Sequence, residues 1–266
     1  MKILAFDVGG SKTAYALVNG RGQVASEVIV QPTPQNCKAI ENIFTKAAKD
    51  FKADGLAVAT AGVVHQNRLL GKPINLPAGY EKIDFAALTG LPYIIENDAN
   101  AALWAEYKIG ALKKMQHTVM LTLGTGVGCG IILNGQLLHG KIGASGEVRY
   151  PLSGGDLAKS AQQGGLNEVD CFKIYELVKQ GNIKARKAYE DWQKNLIAAI
   201  TEINQLLDVE AVALAGSLAQ IVNYAHVEAA VNSKTYRNPL KVVPAKCANN
   251  AGLIGAALLF KEQNHD

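Results

Sequence analysis

Two glycine-rich turns contain residues that could bind phosphate groups. The first is Gly9-Gly10-Ser11-Lys12-Thr13 and the second is Gly124-Thr125-Gly126. Glycines let a backbone approach a ligand closely, and successive backbone N–H groups form a concave anion site. The hydroxyl groups of Ser11, Thr13 and Thr125 and the Lys12 ammonium can donate to phosphate oxygens. The two turns therefore predict a polyphosphate ligand.

The turns belong to two copies of one pattern, LAFDVGGSKTAYALVNG and VMLTLGTGVGCGIILNG. Each copy has an apolar strand, a glycine turn, a second strand and an Asn-Gly turn. The copies predict two related domains. One such hairpin could simply be a ligand-free turn, but the duplication favours a functional role. Neither turn fits the P-loop or the G-x-G-x-x-G dinucleotide fingerprint, so a different kind of nucleotide site is expected.

Asp7 stands at the end of the first hydrophobic strand, immediately before the first glycine turn. Proteins usually hold hydrated Mg²⁺ through one or two carboxylates together with substrate phosphates. Asp7 is therefore the candidate ligand for Mg²⁺.

A second polar group is Glu96-Asn97-Asp98-Ala99-Asn100, where a strand is predicted to end and a helix to begin. Ligands of open α/β sheets bind at the carboxyl ends of strands. Asp98 is placed to act as a general base, and Asn97 could bind sugar hydroxyl groups. The alternative is that either residue merely caps the helix, a role both favour.

Three further positions remain open between binding and structural roles. Glu147, among glycines, could accept hydrogen bonds from vicinal diols or be a solvated loop carboxylate. Asn75 could bind a hydroxyl group or form a turn. Gly216, in an Ala-Gly-Ser turn, could let a flat base enter between helices or allow close packing.

Composition excludes several classes of protein. The 266 residues contain 48% hydrophobic and 19% charged residues, and the net charge of +4 is spread without a basic block. Nucleic acid is therefore not an expected partner. No secretory signal or apolar run of membrane-spanning length is recognised, so a cytoplasmic protein is expected. The four cysteines form no CxxC pair, and they predict free thiols and no zinc site. The five histidines show no metal-binding spacing and are interpreted as structural or surface residues.

The elements needed to position these residues alternate between strand and helix, which is an α/β pattern. In the first half, strands are predicted at 2–8, 12–19, 23–30, 56–60 and 93–95, and helices at 36–51, 84–88 and 99–107. Residues 62–80 are predicted to form a Gly/Pro/Asn-rich excursion.

The second half begins with the repeated hairpin at 118–140, followed by a predicted Gly/Ser-rich loop at 140–165. The remaining predictions are a helical section 167–207, a strand 209–214, a helix 218–231, a strand 240–243 and a closing helix 251–260. The helical section carries a stripe of apolar residues at three- and four-residue spacing: Tyr189, Trp192, Leu196, Ile200, Ile203 and Leu207. The stripe indicates core or a subunit contact rather than a cofactor site.

The motifs together resemble the ROK family (repressor, open reading frame, kinase) within the actin/hexokinase/Hsp70 superfamily. The most specific element is Glu96-Asn97-Asp98-Ala99-Asn100, which resembles the family's E-N-D-A-N. The other matching segments are Asp7-Val-Gly-Gly-Ser-Lys-Thr13, Gly124-Thr-Gly-Val-Gly128, Gly146-Glu147, Ala215-Gly216 and Asn250-Ala251-Gly252 with the helix that follows.

The resemblance implies two ribonuclease H-like (actin-like ATPase) domains with a cleft between them. Residues 1–112, joined by the C-terminal helix 251–266, would form a small sugar and phosphate domain, and 113–250 a large nucleotide-binding domain. The implied activity is phosphoryl transfer from MgATP to a sugar hydroxyl, usually on C6, by a cytoplasmic homodimer. Asp98 would be the base, Asp7 would serve Mg²⁺, and Gly216 would lie on the nucleotide side.

The resemblance further implies that Asn97, Glu147, Asn75, Gly62 and Tyr150 line the sugar site. Tyr150 stands where the family has the histidine of G-E-x-G-H, and the family's zinc loop is missing. The chain is therefore similar to a shortened, zinc-free branch, and the sugar's identity stays open among glucose, N-acetylmannosamine and a β-glucoside.

Two other classes of function are compatible with parts of the sequence. One is a non-catalytic sugar sensor that acts through a partner, since the family includes repressors with a helix-turn-helix ahead of the kinase-like part. The chain is expected to lack that segment, and Asp98 favours an enzyme. The other is an acyl-type kinase, which the E-N-D-A-N and G-E elements disfavour.

Overall fold

The chain forms two compact units in the computed structural model, which describes residues 1–73, 75–234 and 239–264. Unit 1 comprises Met1–Lys113, Leu137–Ser145 and Cys247–Asp266, and unit 2 comprises Lys114–Gln136 and Gly146–Lys246. The sequence-based division at residue 112 did not place the segment 137–145 in unit 1. Ile74 of the predicted excursion and residues 265–266 of the predicted C-terminal segment lie outside the described residues.

Both units are built from strands and helices in alternation. The strands are β1 (Lys2–Val8), β2 (Lys12–Asn19), β3 (Ile29–Pro32), β4 (Gly55–Thr60), β5 (Val63–His65), β6 (Arg68–Leu70), β7 (Tyr93–Asn97), β8 (Thr118–Leu123), β9 (Val127–Leu133), β10 (Gln136–Leu137), β11 (Ala211–Ala215) and β12 (Lys241–Pro244). The α-helices are α1 (Cys37–Asp50), α2 (Phe85–Thr89), α3 (Asp98–Lys108), α4 (Gly154–Gln163), α5 (Cys171–Lys179), α6 (Ile183–Leu207), α7 (Tyr224–Asn232) and α8 (Ala251–Gln263). Short 3₁₀ helices cover Tyr80–Lys82, Ser217–Ile221 and Ala248–Asn250.

The two main sheets have the same strand arrangement. The order is β3-β2-β1-β4-β7 in unit 1 and β10-β9-β8-β11-β12 at the corresponding positions of the second sheet. In each sheet the glycine-turn hairpin is antiparallel, while β1 with β4 and β8 with β11 pair in parallel. All six residues of β4 are buried, as expected for a central strand covered on both faces. The prediction of two related α/β domains is confirmed.

Helix α8 belongs to unit 1 and is buried at every residue from Ala251 to Phe260. A helix that is apolar all round must lie inside a core. Gly255 permits the approach of α3, because a side-chain Cβ at this position would overlap the backbone carbonyl of Ala101. The C-terminal segment therefore completes the core that supports β1 and β4.

The stripe on α6 packs into the core of unit 2. Tyr189, Trp192, Leu196, Ile200 and Ile203 all lie in one buried cluster. The buried hydroxyl group of Tyr189 is paired as well, since it donates to the Ile221 carbonyl at 2.5 Å. The stripe is therefore part of the hydrophobic core of unit 2, as one of the two interpretations predicted.

Three sequence predictions of elements were wrong. The third strand begins at Ile29 rather than 23, because the Ser26 hydroxyl accepts the Leu17 N–H at 2.9 Å and replaces a ladder bond. Helix α4 lies within the predicted loop 140–165, and the predicted helix 218–231 is a 3₁₀ helix, Ser217–Ile221, followed by α7. The predicted helical section 167–207 contains α5 and α6, which are separated at Gly181, whose φ is +83°. A glycine with positive φ is a common helix terminator.

The described residues contain no helix that combines the length and the apolarity needed to cross a membrane. The four cysteines, all described, are free thiols.

Candidate active site

Asp7 and the Glu96-Asn97-Asp98 turn lie at the same edge of the unit 1 sheet. Pairing of β1 with β4 and of β4 with β7 aligns Asp7 with Ala59, and Ala59 with Glu96. Two strand spacings separate Asp7 and Glu96, which is about 10 Å between Cα atoms. The candidate metal ligand and the candidate base therefore follow the carboxyl ends of two nearby strands, where ligands bind in α/β sheets.

The first glycine turn opens from the same edge, between β1 and β2. Its closing hydrogen bond joins the Gly9 N–H to the Lys12 carbonyl at 3.0 Å. The side chains of Ser11 and Lys12 are exposed at its tip. Thr13, by contrast, is 1% exposed, and its hydroxyl hydrogen-bonds the buried Thr33 hydroxyl at 2.9 Å.

Thr33 stabilises the first glycine turn, a role that sequence analysis did not identify. Its hydroxyl donates to the Gly9 carbonyl at 2.6 Å, and its N–H donates to the Ser11 carbonyl at 3.1 Å. Thr33 therefore holds both sides of the turn, and Thr13 contributes to the same buried network. Ser11, Lys12 and the glycine backbone remain the parts of the turn that face outward.

Asn75 lies directly against this turn. A Cβ atom built on Gly10 would be 2.5 Å from the Asn75 Cβ, closer than real Cβ contacts. Only glycine permits this approach, and the Asn75 side chain is exposed. The structure thus brings a predicted sugar-binding residue into contact with a predicted phosphate-binding residue.

The environment of Asp7 fits a bound cation. Burial raises the pKa of its carboxyl from 3.8 to about 6, and the positive charge of Lys12 lowers it in part. Beside it, a Cβ on Gly252 would be 2.7 Å from Asp7 Oδ2, so this glycine keeps the carboxylate face open. A metal ion stabilises the charged form of a desolvated carboxylate. Mg²⁺ needs only one or two carboxylates when phosphates complete its shell.

No cluster of three or more His, Cys, Asp or Glu side chains with metal-binding geometry occurs among the described residues. The Asp7 site would therefore rely on substrate oxygens and water for its other ligands.

Asn97 caps helix α3, as the structural alternative predicted. Its side-chain oxygen accepts the N–H groups of Ala99 at 2.9 Å and Asn100 at 3.1 Å. Its amide nitrogen donates to the Gly62 carbonyl at 3.0 Å. Gly62, with φ of +108°, brings the loop after β4 to the turn after β7. The cap fixes Asp98 as the first residue of α3, where its Oδ1 accepts the Ala99 N–H at 2.9 Å.

Buried Glu96 pairs with the partly exposed His139 at this turn, and sequence analysis missed the pair. Glu96 is 8% exposed. Its Oε1 accepts the Asn97 N–H at 2.7 Å and the Asn100 amide at 3.1 Å, while Oε2 is 2.7 Å from His139 Nε2. The hydrogen bond to Glu96 raises the pKa of His139, against the lowering effect of burial.

In unit 2, the second glycine turn meets two other glycine segments. The turn closes through the Gly124 N–H on the Gly126 carbonyl at 3.0 Å, and the Gly154 N–H donates to the Gly124 carbonyl at 2.8 Å. A Cβ on Gly216, whose φ is +83°, would overlap the backbone of Leu123. The predicted residue Gly216 is thus adjacent to the predicted phosphate turn, and Thr125 and Gly126 are exposed at its tip.

Gly154 opens helix α4 and was not predicted as part of this site. A capping box marks the start of the helix. The Ser153 hydroxyl accepts the Asp156 N–H at 3.2 Å, and Asp156 Oδ2 accepts the Ser153 N–H at 2.9 Å. The pattern Ser-x-x-Asp is a recognisable helix start, but the two glycines between them favour a loop.

The loop that contains Glu147 and Leu152 is also in unit 2, and helix α6 forms a hydrogen bond with it. The Trp192 indole N–H donates to the Leu152 carbonyl at 3.0 Å. Burial is the largest of the causes that raise the pKa of the Tyr150 hydroxyl. The negative charge of Glu202 and a hydrogen bond to Glu202 raise it further. The Tyr150 hydroxyl is therefore paired with helix α6, and the Glu147 side chain is exposed.

The two units, each with one five-stranded sheet and helices, define a protein with the two-domain actin-like fold. The sequence matches the profile of the ROK family over residues 3–149 and 150–263. An N-acetylmannosamine kinase from Escherichia fergusonii is 30% identical over 288 residues, covering 97% of this chain and 98% of the relative. The chain belongs to the ROK family.

Solved structures share this fold. A ROK family glucokinase from Streptomyces griseus, in complex with glucose and AMPPNP, superposes with a TM-score of 0.80 at 24% identity, covering 97% of this chain and 99% of that one. A ROK family transcriptional regulator, a homologue of the E. coli MLC protein, gives 0.77 at 20% identity, covering 98% of this chain and 78% of that one. Kinases and a regulator thus share the architecture.

Proposed function

We propose that this chain is an ATP-dependent sugar kinase that transfers the γ-phosphoryl group to a hydroxyl group, on C6, of a hexose or N-acylhexosamine. The observation that carries the proposal is the position of Asp98, at the sheet edge that also presents Asp7 and the first glycine turn. The sugar-kinase class is further supported by curated relatives that are kinases over nearly their whole length.

Asp98 is proposed to accept the proton of the attacking hydroxyl group. The sugar oxygen forms a bond to the γ-phosphorus while the bond from that phosphorus to the β–γ bridging oxygen breaks, and ADP leaves. Such reactions depend mostly on positioning and charge stabilisation. Asn97 suits the positioning role, because its cap bonds fix the start of α3 and one amide hydrogen beyond the Gly62 bond can serve a hydroxyl group.

The remaining site residues keep their proposed roles. Gly62, Asn75, Glu147 and Tyr150 are proposed as sugar contacts. The phosphate and nucleotide contacts are proposed to be Gly9, Gly10, Ser11, Lys12, Gly124, Thr125, Gly126 and Gly216, with Thr13 acting through its buried bond to Thr33. Asp7 would hold Mg²⁺ through water, and that ion would neutralise charge on the transferring phosphates. A cytoplasmic homodimer without zinc remains the prediction for the assembly.

N-acetylmannosamine is the first candidate acceptor, because the relatives at 30% identity are N-acetylmannosamine kinases. Glucose is the second. Likeness to the glucokinase structure at 24% identity supports the fold and leaves the acceptor open.

The test is ADP release from MgATP with a panel of N-acetylmannosamine, N-acetylglucosamine, glucose, mannose, fructose and cellobiose. Mass spectrometry and ³¹P-coupled NMR of the product would show the phosphate and its carbon position. Turnover of one sugar at C6 is expected. Sugar binding by calorimetry without turnover of any sugar would overturn the kinase and favour the sugar-sensing alternative acting through a partner.

A further inference from the structure

The Glu96 carboxylate connects three parts of unit 1. One oxygen accepts from the Asn97 peptide N–H and from the Asn100 side chain, and the other pairs with His139. Asn97 and Asn100 stand on either side of Asp98 in the first turn of α3. Glu96 therefore ties the backbone just before the proposed base to the side chain two residues after it.

His139 supplies the third donor from a separate segment. Leu137–Ser145 belongs to unit 1, although the chain on either side of it belongs to unit 2. Contacts that do not involve the His139 ring also hold this segment in place. Gly143, with φ of +80°, packs on the Val64 carbonyl, and the Ser145 N–H donates to the His139 carbonyl at 3.3 Å. Loss of the imidazole alone should therefore leave the segment in place.

We propose that His139 is a positioning residue for phosphoryl transfer, acting through Glu96 to fix the Asn97-Asp98 turn. This proposal rests on the proposed function, because it assigns a role relative to Asp98 as base. A buried carboxylate requires its hydrogen-bond donors, and charge-assisted bonds are the strong ones. With His139 present, both oxygens of Glu96 are held in one orientation, and so are the two groups that flank Asp98.

Without the imidazole, Oε2 of Glu96, a residue that is 8% exposed, loses the partner that lies 2.7 Å away. The carboxylate then gains by rotating toward water. That rotation weakens its bonds to the Asn97 N–H and the Asn100 amide. A displacement of about 1 Å at a reacting group can cost about 100-fold in rate, so a support one residue from the base can affect turnover strongly.

The test compares His139→Ala with His139→Gln, whose amide can donate to Glu96, and with His226→Ala on the exposed surface of α7. Each full-length variant is assayed with MgATP and N-acetylmannosamine, or the panel sugar with highest turnover. Calorimetric sugar-binding stoichiometry counts folded sites, so that kcat refers to competent protein. Hydrogen exchange of the Asn97 amide reports its bond to Glu96 without any need for turnover.

For His139→Ala, we expect kcat to fall about 10- to 100-fold, with unchanged KM for MgATP and faster exchange at Asn97. His139→Gln should recover most of the kcat, and His226→Ala should match the wild type. Equal loss in the Ala and Gln variants, or normal kcat in His139→Ala, would overturn the positioning role alone. Absence of turnover in the wild-type chain would overturn the proposed function and the positioning role of His139 with it.

Discussion

Ionisation of the Asp7 carboxyl group is expected to destabilise the ligand-free chain. Burial raises the Asp7 pKa from 3.8 to about 6. Because the folded state binds this proton more tightly than the unfolded state, the free energy of unfolding falls as pH rises from about 3.8 to about 6. At about 1.36 kcal/mol per pKa unit, the ionised side chain costs about 3 kcal/mol above this range. Partial exposure makes this an upper value.

Asp7→Asn replaces the charge with a neutral group of similar shape, so it should stabilise the ligand-free chain. The expected gain is about 3 kcal/mol at pH 7.5 and about 1 kcal/mol at pH 4.5, where the wild-type carboxyl is mostly protonated when folded. For a chain of this size that is a rise in Tm of roughly 6–12 °C and 2–4 °C respectively. The same variant should lose the Tm increase that MgATP gives the wild type.

The assay is thermal unfolding of both proteins from pH 4.5 to 7.5 without nucleotide, taking the difference in Tm at each pH so that other titrating groups cancel. Asp50→Asn, at an exposed position on α1, is the control and should change stability by less than about 0.5 kcal/mol. A Tm difference for Asp7→Asn that is zero, negative or independent of pH would refute the reasoning.

Two further substitutions test the supports of the site. Thr33→Val should lower the free energy of unfolding by about 1–3 kcal/mol, because it leaves the buried Thr13 hydroxyl and a turn carbonyl unpaired. It should also raise KM for MgATP. Urea unfolding and kinetics check both effects, and normal values would argue against the buried network. Gly255→Ala should cost about 1–3 kcal/mol by forcing a Cβ onto the Ala101 carbonyl. In the same helix, Gly252→Ala should cost less, since it meets a movable side chain, and equal urea midpoints would contradict this.

Sequence reasoning succeeded where the signal is local or repeated. Alternating hydrophobic runs and Asn-Gly turns located β1 and β2, and the duplicated pattern indicated that β8 and β9 would repeat them. The strand-to-helix junction at Glu96–Asn100 was also identifiable, because a buried strand must end before a polar cluster. These features depend on residues close together in the chain.

The remaining features depend on contacts between distant residues. Glu96 and His139 are 43 positions apart, and no spacing rule links them. Thr33 supports the first glycine turn from 24 positions beyond Gly9, in a segment whose strand assignment was itself wrong. Helix α4 was missed for a local reason, since Gly154-Gly155 favours a loop unless the Ser153 capping box is given more weight.

Asp98→Asn tests the central claim most directly. Amide substitution keeps the shape of the side chain and its acceptor oxygen for the Ala99 N–H, but removes the ability to accept the hydroxyl proton. With MgATP and the sugar identified by the panel, kcat should fall about 10²- to 10⁴-fold, while calorimetry shows sugar and nucleotide binding near wild-type affinity. A variant that phosphorylates the sugar at the wild-type rate would contradict the assignment of Asp98 as the general base.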